Sequence, residues 1–261
     1  MDSDFFQKWL TVVQKIKLSQ KTVSTLQEIT GQRDYAVSEL VAEVPNHYVK
    51  PSRTAERIAQ MGYKQTGQAL MEKMPQTKTA RSADIGEILA AEYVRREFKY
   101  DVPINKLVWK DSRELALRGD DVIGISISGN NTVRLLKVEA KSRAKLSTST
   151  LEEAENGLNT FKGRPNPHSL LFIAERLDDQ GQKDIATLIE KNTVKGFRVN
   201  QIEQLLFSFS GNNSHDLASK KAKKYNGQFV RHYIGLVVED HQNFIKKVYQ
   251  EIVNKWKKKK K

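Results

Sequence analysis

The chain has 261 residues, 38% hydrophobic and 29% charged, with a formal net charge of +13. This is a polar globular composition with enough apolar residues for a core; no apolar run nears the roughly 18–20 residues of a membrane helix, and the lack of cysteine excludes disulfides, zinc fingers and a cysteine nucleophile. The charge is uneven. From Lys220 to Lys261, 13 Lys and Arg face three acids, so a polyanion is the expected partner, nucleic acid before an anionic membrane surface.

The acidic start, Met1-Asp2-Ser3-Asp4, lacks the basic-then-apolar pattern of a signal peptide, and the cytoplasm is the expected location. Residues 1–75 read as a helical region for packing or partner contacts. Phe5, Phe6, Trp9, Leu10, Val13 and Ile16 recur at helical spacing. A second helix from about Tyr35 to Val44 stops at Pro45, and a third follows Pro51-Ser52 and ends at Pro75. His47, in a Pro-bounded loop, reads as a surface histidine. Residues 76–83 read as a linker, after which Ser82 or Asp84 caps a helix through about Phe98. Glu87 falls in the middle of that helix's apolar stripe, with Ala90, Ala91, Val94 and Phe98. A carboxylate there is costly unless it has a partner or reaches solvent.

Leu107-Val108-Trp109 reads as a short strand. Arg118-Gly119-Asp120-Asp121 then turns into a strand, Val122 to Ser128, in which Ile123, Ile125 and Ile127 alternate. Gly129-Asn130-Asn131 is a hairpin signal, and Val133 to Lys141 is the returning strand. Along it Leu136, Val138 and Ala140 face one way, and Lys137, Glu139 and Lys141 the other. An aspartate beside Glu-x-Lys on a paired strand equips a metal-dependent phosphodiesterase: hard carboxylates hold Mg²⁺ or Mn²⁺, and the lysine positions the attacking water. Asp121, directly before the apolar run, is the preferred ligand, with Asp120 the fallback. The rival reading is a non-catalytic DNA-binding or scaffold subunit whose acids only pair with Lys141.

Arg143 and Lys145 follow in a basic turn suited to phosphate contacts. A helix from Leu151 to about Phe161, a buried strand Ser169–Ala174 and a helix Lys183–Lys191 come next. Then follow a strand-like Phe197–Val199 and a helix through Ile202, Leu205, Leu206 and Phe207. Ser208 to Tyr225 reads as a loop whose Lys220, Lys221, Lys223 and Lys224 are further nucleic-acid contacts. A strand, Arg231 to Val238, precedes a last helix, His241 to Trp256, which runs into Lys257–Lys261. The chain contains no P-loop, no Gly-x-Ser-x-Gly elbow and no histidine spacing suited to zinc. Glu87, Asp121, Glu139 and Lys141 are what remains as an acid/base constellation.

The order helix with Glu, strand with Asp, strand with Glu-x-Lys, helix, strand resembles the PD-(D/E)xK nuclease superfamily over about residues 80–175. Asp120-Asp121 stands where that superfamily has Pro-Asp. More closely, Gly86-Glu87-Ile88-Leu89, Arg118-Gly119-Asp120-Asp121 and Val138-Glu139-Ala140-Lys141 are similar to the HamA family, nuclease subunits of Hachiman-type bacterial anti-phage systems. The resemblance implies an α/β fold with a mixed sheet: a restriction-endonuclease-like core of about four to five strands flanked by helices, in a domain spanning residues 80–261 with a basic tail. It implies Mg²⁺-dependent DNA cleavage with little sequence specificity. Asp121, Glu139 and the Ala140 carbonyl would hold the ion, with Glu87 reaching it through water. It also implies a controlling partner, a HamB-like superfamily 2 helicase; the lack of a long apolar run leads us to expect no membrane. The residues themselves do not separate DNA from RNA.

Overall fold

The computed structural model describes residues 1–115 and 117–258; residues 259–261 of the terminal lysine run lie outside the described residues. Two hairpins and two single strands make its sheet. β1 (Leu10–Leu18) pairs antiparallel with β2 (Lys21–Glu28), and β3 (Val122–Ile127) with β4 (Val133–Arg143). β5 (Ile202–Ser210) and β6 (Val230–Val237) lie between the hairpins, giving the order β1-β2-β6-β5-β4-β3. The four inner strands are parallel, and the antiparallel ones are the two edges. The expected mixed α/β sheet is present, with six strands among the described residues rather than four to five.

Helices cover both faces. On one lie α1 (Phe5–Trp9), α2 (Arg33–Glu43), α4 (Lys78–Tyr93) and α9 (His241–Lys258), over a core that includes Leu136, Val138, Leu205 and Phe207. α3 (Pro51–Lys73) sits outside them, broken at Gly62, whose φ of 79° favours glycine. α5 (Thr148–Asn159) and α8 (His215–Lys224) cover the other face, over Val23, Leu206 and Tyr233. α6 (Pro167–Asp178) and α7 (Lys183–Lys195) pack on a third cluster with Ile125, Leu135 and Ile202. No helix among the described residues is long and apolar enough to cross a membrane.

Several local expectations need correction, and each has a physical reason. Phe5, Phe6 and Trp9 do share a helix, but it ends at Trp9 and Leu10–Leu18 is a strand. Thr11, Val12, Val13 and Ile16 are β-branched, and their helical spacing was coincidental. Trp9 is wholly buried and stacks on Phe244 with ring centroids 5.5 Å apart, a contact worth about 0.5–1.5 kcal/mol beyond its burial. Ile202–Phe207 is β5, not a helix: a parallel strand buried on both faces is a continuous apolar run, which imitates helical spacing. Ser169–Ala174 belongs to α6, not to a strand. Asn166 caps that helix by accepting from the His168 N–H at 3.0 Å, and Pro167 occupies its first turn.

Leu107–Trp109 is part of a single 3₁₀ turn, and Phe197–Val199 is no strand. The expected loop at 208–225 is the end of β5 followed by α8. Most of residues 76–83 belongs to α4, which starts early because Thr77 accepts from the Ala80 N–H at 3.3 Å. Ser82 is therefore inside the helix, bonded to Ser142 on β4 at 2.9 Å. Gly86 lets α4 approach that strand, since a Cβ there would lie 2.9 Å from Ser142 Cβ. His47 is 2% exposed rather than on the surface.

Candidate active site

The β3–β4 register sets the geometry. Val122 pairs with Val138, so Asp121, one residue before β3, lies beside Glu139 and Ala140. Its Oδ2 accepts from the Ala140 N–H at 2.9 Å, so the side chain continues the ladder of hydrogen bonds. Glu139 points to the α5 face, and its Oε1 accepts from Lys141 Nζ at 2.7 Å. Glu87 comes from α4 on the opposite face and is 9% exposed. Asp121 therefore stands at the sheet edge, between Glu87 and the Glu139–Lys141 pair.

Asp120 is engaged elsewhere. Its Oδ2 accepts from the Asn166 N–H at 2.7 Å, its own N–H donates to Ser169 Oγ at 3.2 Å, and its Oδ1 lies 3.5 Å from Lys137 Nζ. Lys137, 1% exposed, also donates to the carbonyls of Thr160 and Arg164. It thereby holds a turn in which Phe161, Lys162 and Gly163 all have positive φ. Asp120 and Lys137 tie loops to the sheet, and Asp121 is the aspartate turned toward Glu87 and Glu139.

The site is short of positive charge. Burial, and then the charge of Asp121, push Glu87 up to about 8 and Glu139 up to about 7. Burial also raises Asp121, against the pull of Lys106 and of the Ala140 N–H. Burial is the largest influence on the Lys141 ammonium and works against it, but its bond to Glu139 together with the charges of Glu139 and Asp121 outweighs this, and the pKa is raised. Lys106, which donates to the Asp120 carbonyl at 2.9 Å, is the cation the sequence did not reveal. It opens a single 3₁₀ turn, too short for a periodicity to announce its direction.

Glu139, Asp121 and the Ala140 carbonyl are all hard oxygen donors, the set that suits Mg²⁺ or Mn²⁺. Buried carboxylates that raise one another's pKa are those a divalent cation would relieve. The oxygens of Glu87, Asp121 and Glu139 do not all lie within 4.8 Å of one another. Among the described residues the group that does is Glu43, His47 and Glu92. That group is already satisfied: Glu92 bonds His47, Arg95 and Arg96, and Glu43 bonds the Met1 ammonium. It is an ion network that ties the N-terminus to α4.

Gly157 of α5 lies directly over Glu139, and a Cβ there would be 2.5 Å from the Glu139 Cδ. The obstructing group is the end of a flexible side chain, so it can move. Gly157→Ala is expected to keep the fold, alanine being the better helix former by about 0.5–1 kcal/mol. It should displace the carboxylate and cut activity by roughly 10²-fold, the scale reported for small misplacements of reacting groups. The DNA cleavage that the sequence resemblance implies, measured beside a thermal melt, tests this; a rate equal to that of the unsubstituted chain would show that Glu139 need not sit where it does.

Of the basic residues, Arg143 and Lys145 are exposed just beyond Lys141. Lys220, Lys223 and Lys224 are exposed on α8, whereas Lys221 pairs with Glu152 at 2.9 Å and Glu155 at 3.4 Å. A cavity of about 460 Å³ opens beside the acids, bounded by α4, the loops before β3 and the start of α6. Glu87 and Asp121 form part of its wall.

A family model described as HamA matches residues 3–252 of the chain. The Hachiman protein HamA of Bacillus cereus is 23% identical over 257 residues, a match covering 95% of this chain and 90% of that protein.

Proposed function

The chain belongs to the HamA family, and from that premise we propose that it is a metal-dependent nuclease acting in bacterial anti-phage defence. The observation that carries the reading is Asp121 held at the sheet edge between Glu87 and the Glu139–Lys141 pair. Asp121, Glu139 and the Ala140 carbonyl would hold Mg²⁺ or Mn²⁺, with Glu87 nearby, and the ion would supply Lewis-acid charge at the scissile phosphate and acidify the attacking water. The Ala140 N–H fixes the Asp121 carboxylate. Lys141, kept charged by Glu139, orients the water, whose oxygen bonds to phosphorus as the bond to the leaving oxygen breaks. Arg143, Lys145 and the exposed lysines of α8 grip phosphates without reading bases.

Family membership also supports a place in a Hachiman system, in the cytoplasm, under a HamB-like superfamily 2 helicase. The chain itself has no Gly-x4-Gly-Lys motif with which to use ATP. The test is degradation of plasmid and linear DNA by purified protein, with Mg²⁺ or with EDTA, beside the Glu139→Ala/Lys141→Ala double variant. Metal-dependent cleavage that the double variant loses is the expected result. Cleavage that survives the substitutions overturns the reading, and so does silence both alone and with the helicase, ATP and DNA ends.

A further inference from the structure

The cavity beside Glu87 and Asp121 has a chemistry that phosphate binding does not explain. Its walls include Ile88, Ala91, Val102, Ile104, Phe172 and Ile173, and Lys106 and Arg118 also line it. A duplex backbone is gripped by a shallow cationic surface and has no use for an apolar hollow. At about 460 Å³ the hollow falls within the range of small-molecule sites. It is far larger than one water needs.

We propose that this cavity seats the base of an unpaired nucleotide next to the scissile phosphate. The preferred substrate is then a single strand or a frayed end. The inference rests on the nuclease reading and adds its substrate class. A base face meets apolar and aromatic walls as it meets a stacking platform, whereas a paired base stays in its helix. The cations follow the same division. Lys106 lines the cavity beside the acids, and exposed Arg118 lines it too, free to meet a phosphate of the seated nucleotide.

Two polar groups on the α4 side of the wall, Asn105 and His47, are occupied elsewhere. Asn105 Oδ1 accepts from Arg95 at 2.6 Å and its Nδ2 donates to the Asn46 carbonyl at 3.2 Å. His47 is bonded to Glu92 at 2.9 Å. With these two engaged, the apolar walls and the Phe172 ring meet the base by shape and stacking.

The test uses the full chain in EDTA, where metal-dependent cleavage is silent. The probe is a single-stranded oligonucleotide with 2-aminopurine at its end, a base whose fluorescence rises when it leaves its stacked neighbours. The wild-type protein should give a saturable fluorescence change with this probe and none with the same base inside a duplex. Ala91→Phe, which fills the cavity, should abolish the change and weaken single-strand binding about tenfold, the scale of one lost stacking contact. Its duplex binding and salt dependence should stay as in the wild type. Ile104→Trp fills the hollow from the opposite wall and serves if Ala91→Phe does not melt as a folded protein. No fluorescence change in the wild type, or an equal change in a folded, filled variant, overturns the proposal. Because the readout is binding without metal, a protein that seats the base yet never cleaves would sink the nuclease reading and leave the pocket standing.

Discussion

Asp121→Asn is expected to lower cleavage by roughly 10³-fold, the scale of losing a group that stabilises charge in a transition state, while making the metal-free protein more stable at pH 8. The first half follows from position. Asp121 stands between Glu87 and Glu139, and an amide cannot supply the negative charge that holds a divalent cation. The second half follows from linkage. Glu87 and Glu139 have folded-state pKa values of about 8 and about 7, raised from 4.5. The folded chain thus holds these protons more tightly than the unfolded chain. The contribution of these two groups is fullest below about pH 4.5 and is lost as pH rises toward 8.

The charge of Asp121 is the second cause of both shifts, after burial. Removing it should recover about 1 kcal/mol at pH 8, or roughly 2–4 °C in melting temperature, and little at pH 5. An asparagine oxygen can still accept from the Ala140 N–H, so the ladder survives. Cleavage with Mg²⁺, beside melts in EDTA at pH 5 and pH 8, would check both halves. Full activity in this variant would move the ligand role to Asp120.

Lys110→Met should cost about 3–5 kcal/mol, the usual consequence of stranding a buried charge. Lys110 Nζ donates to both oxygens of Asp84, at 2.9 and 3.0 Å, and to the Arg113 carbonyl at 3.1 Å. Tyr48 donates to the same carboxylate at 2.8 Å and also bonds Tyr249 of α9 at 2.8 Å. Burial raises the Asp84 pKa even with Lys110 and Tyr48 in place. Without the ammonium, the acid must take up a proton or remain charged in the core. Asp84 lies on α4 three residues before Glu87, so the network also sets that helix against the active site. Adding Asp84→Asn should restore most of the loss, because a neutral pair leaves no stranded charge. Denaturant midpoints of the single and double variants decide this. Equal losses would assign the cost to packing of the lysine stem.

The elements carrying the chemistry were the legible ones. β3 and β4 alternate cleanly, with Gly129-Asn130-Asn131 between them, and Asn131 does adopt the left-handed conformation such a turn needs, with φ 59°. Glu87 stood out as a charge on an apolar stripe, and it is buried. What stayed hidden depended on contacts distant in the chain. β5 has apolar residues on both faces because sheet and helices enclose it, so its period cannot be read. Lys106 and His47 lie in single 3₁₀ turns, too short for a periodicity to reveal side-chain direction. The Asp120–Lys137 pair joins residues that only the hairpin register brings together, so neighbouring aspartates could not be assigned separate tasks in advance.

The strand order has a consequence for how the protein is made. β2 pairs along its length with β6, Lys21 with Arg231 through Gln27 with Val237, a separation of some two hundred positions. During vectorial synthesis the first hairpin leaves the ribosome long before its neighbour exists. One border of that hairpin stays without a strand until nearly all the chain has been translated. Such high contact order makes closure slow and leaves an exposed template for misassociation in the meantime. β5, which supports the acid-bearing β4, has its own far side covered by β6, so the sheet beneath the candidate site is complete only when its last strand arrives.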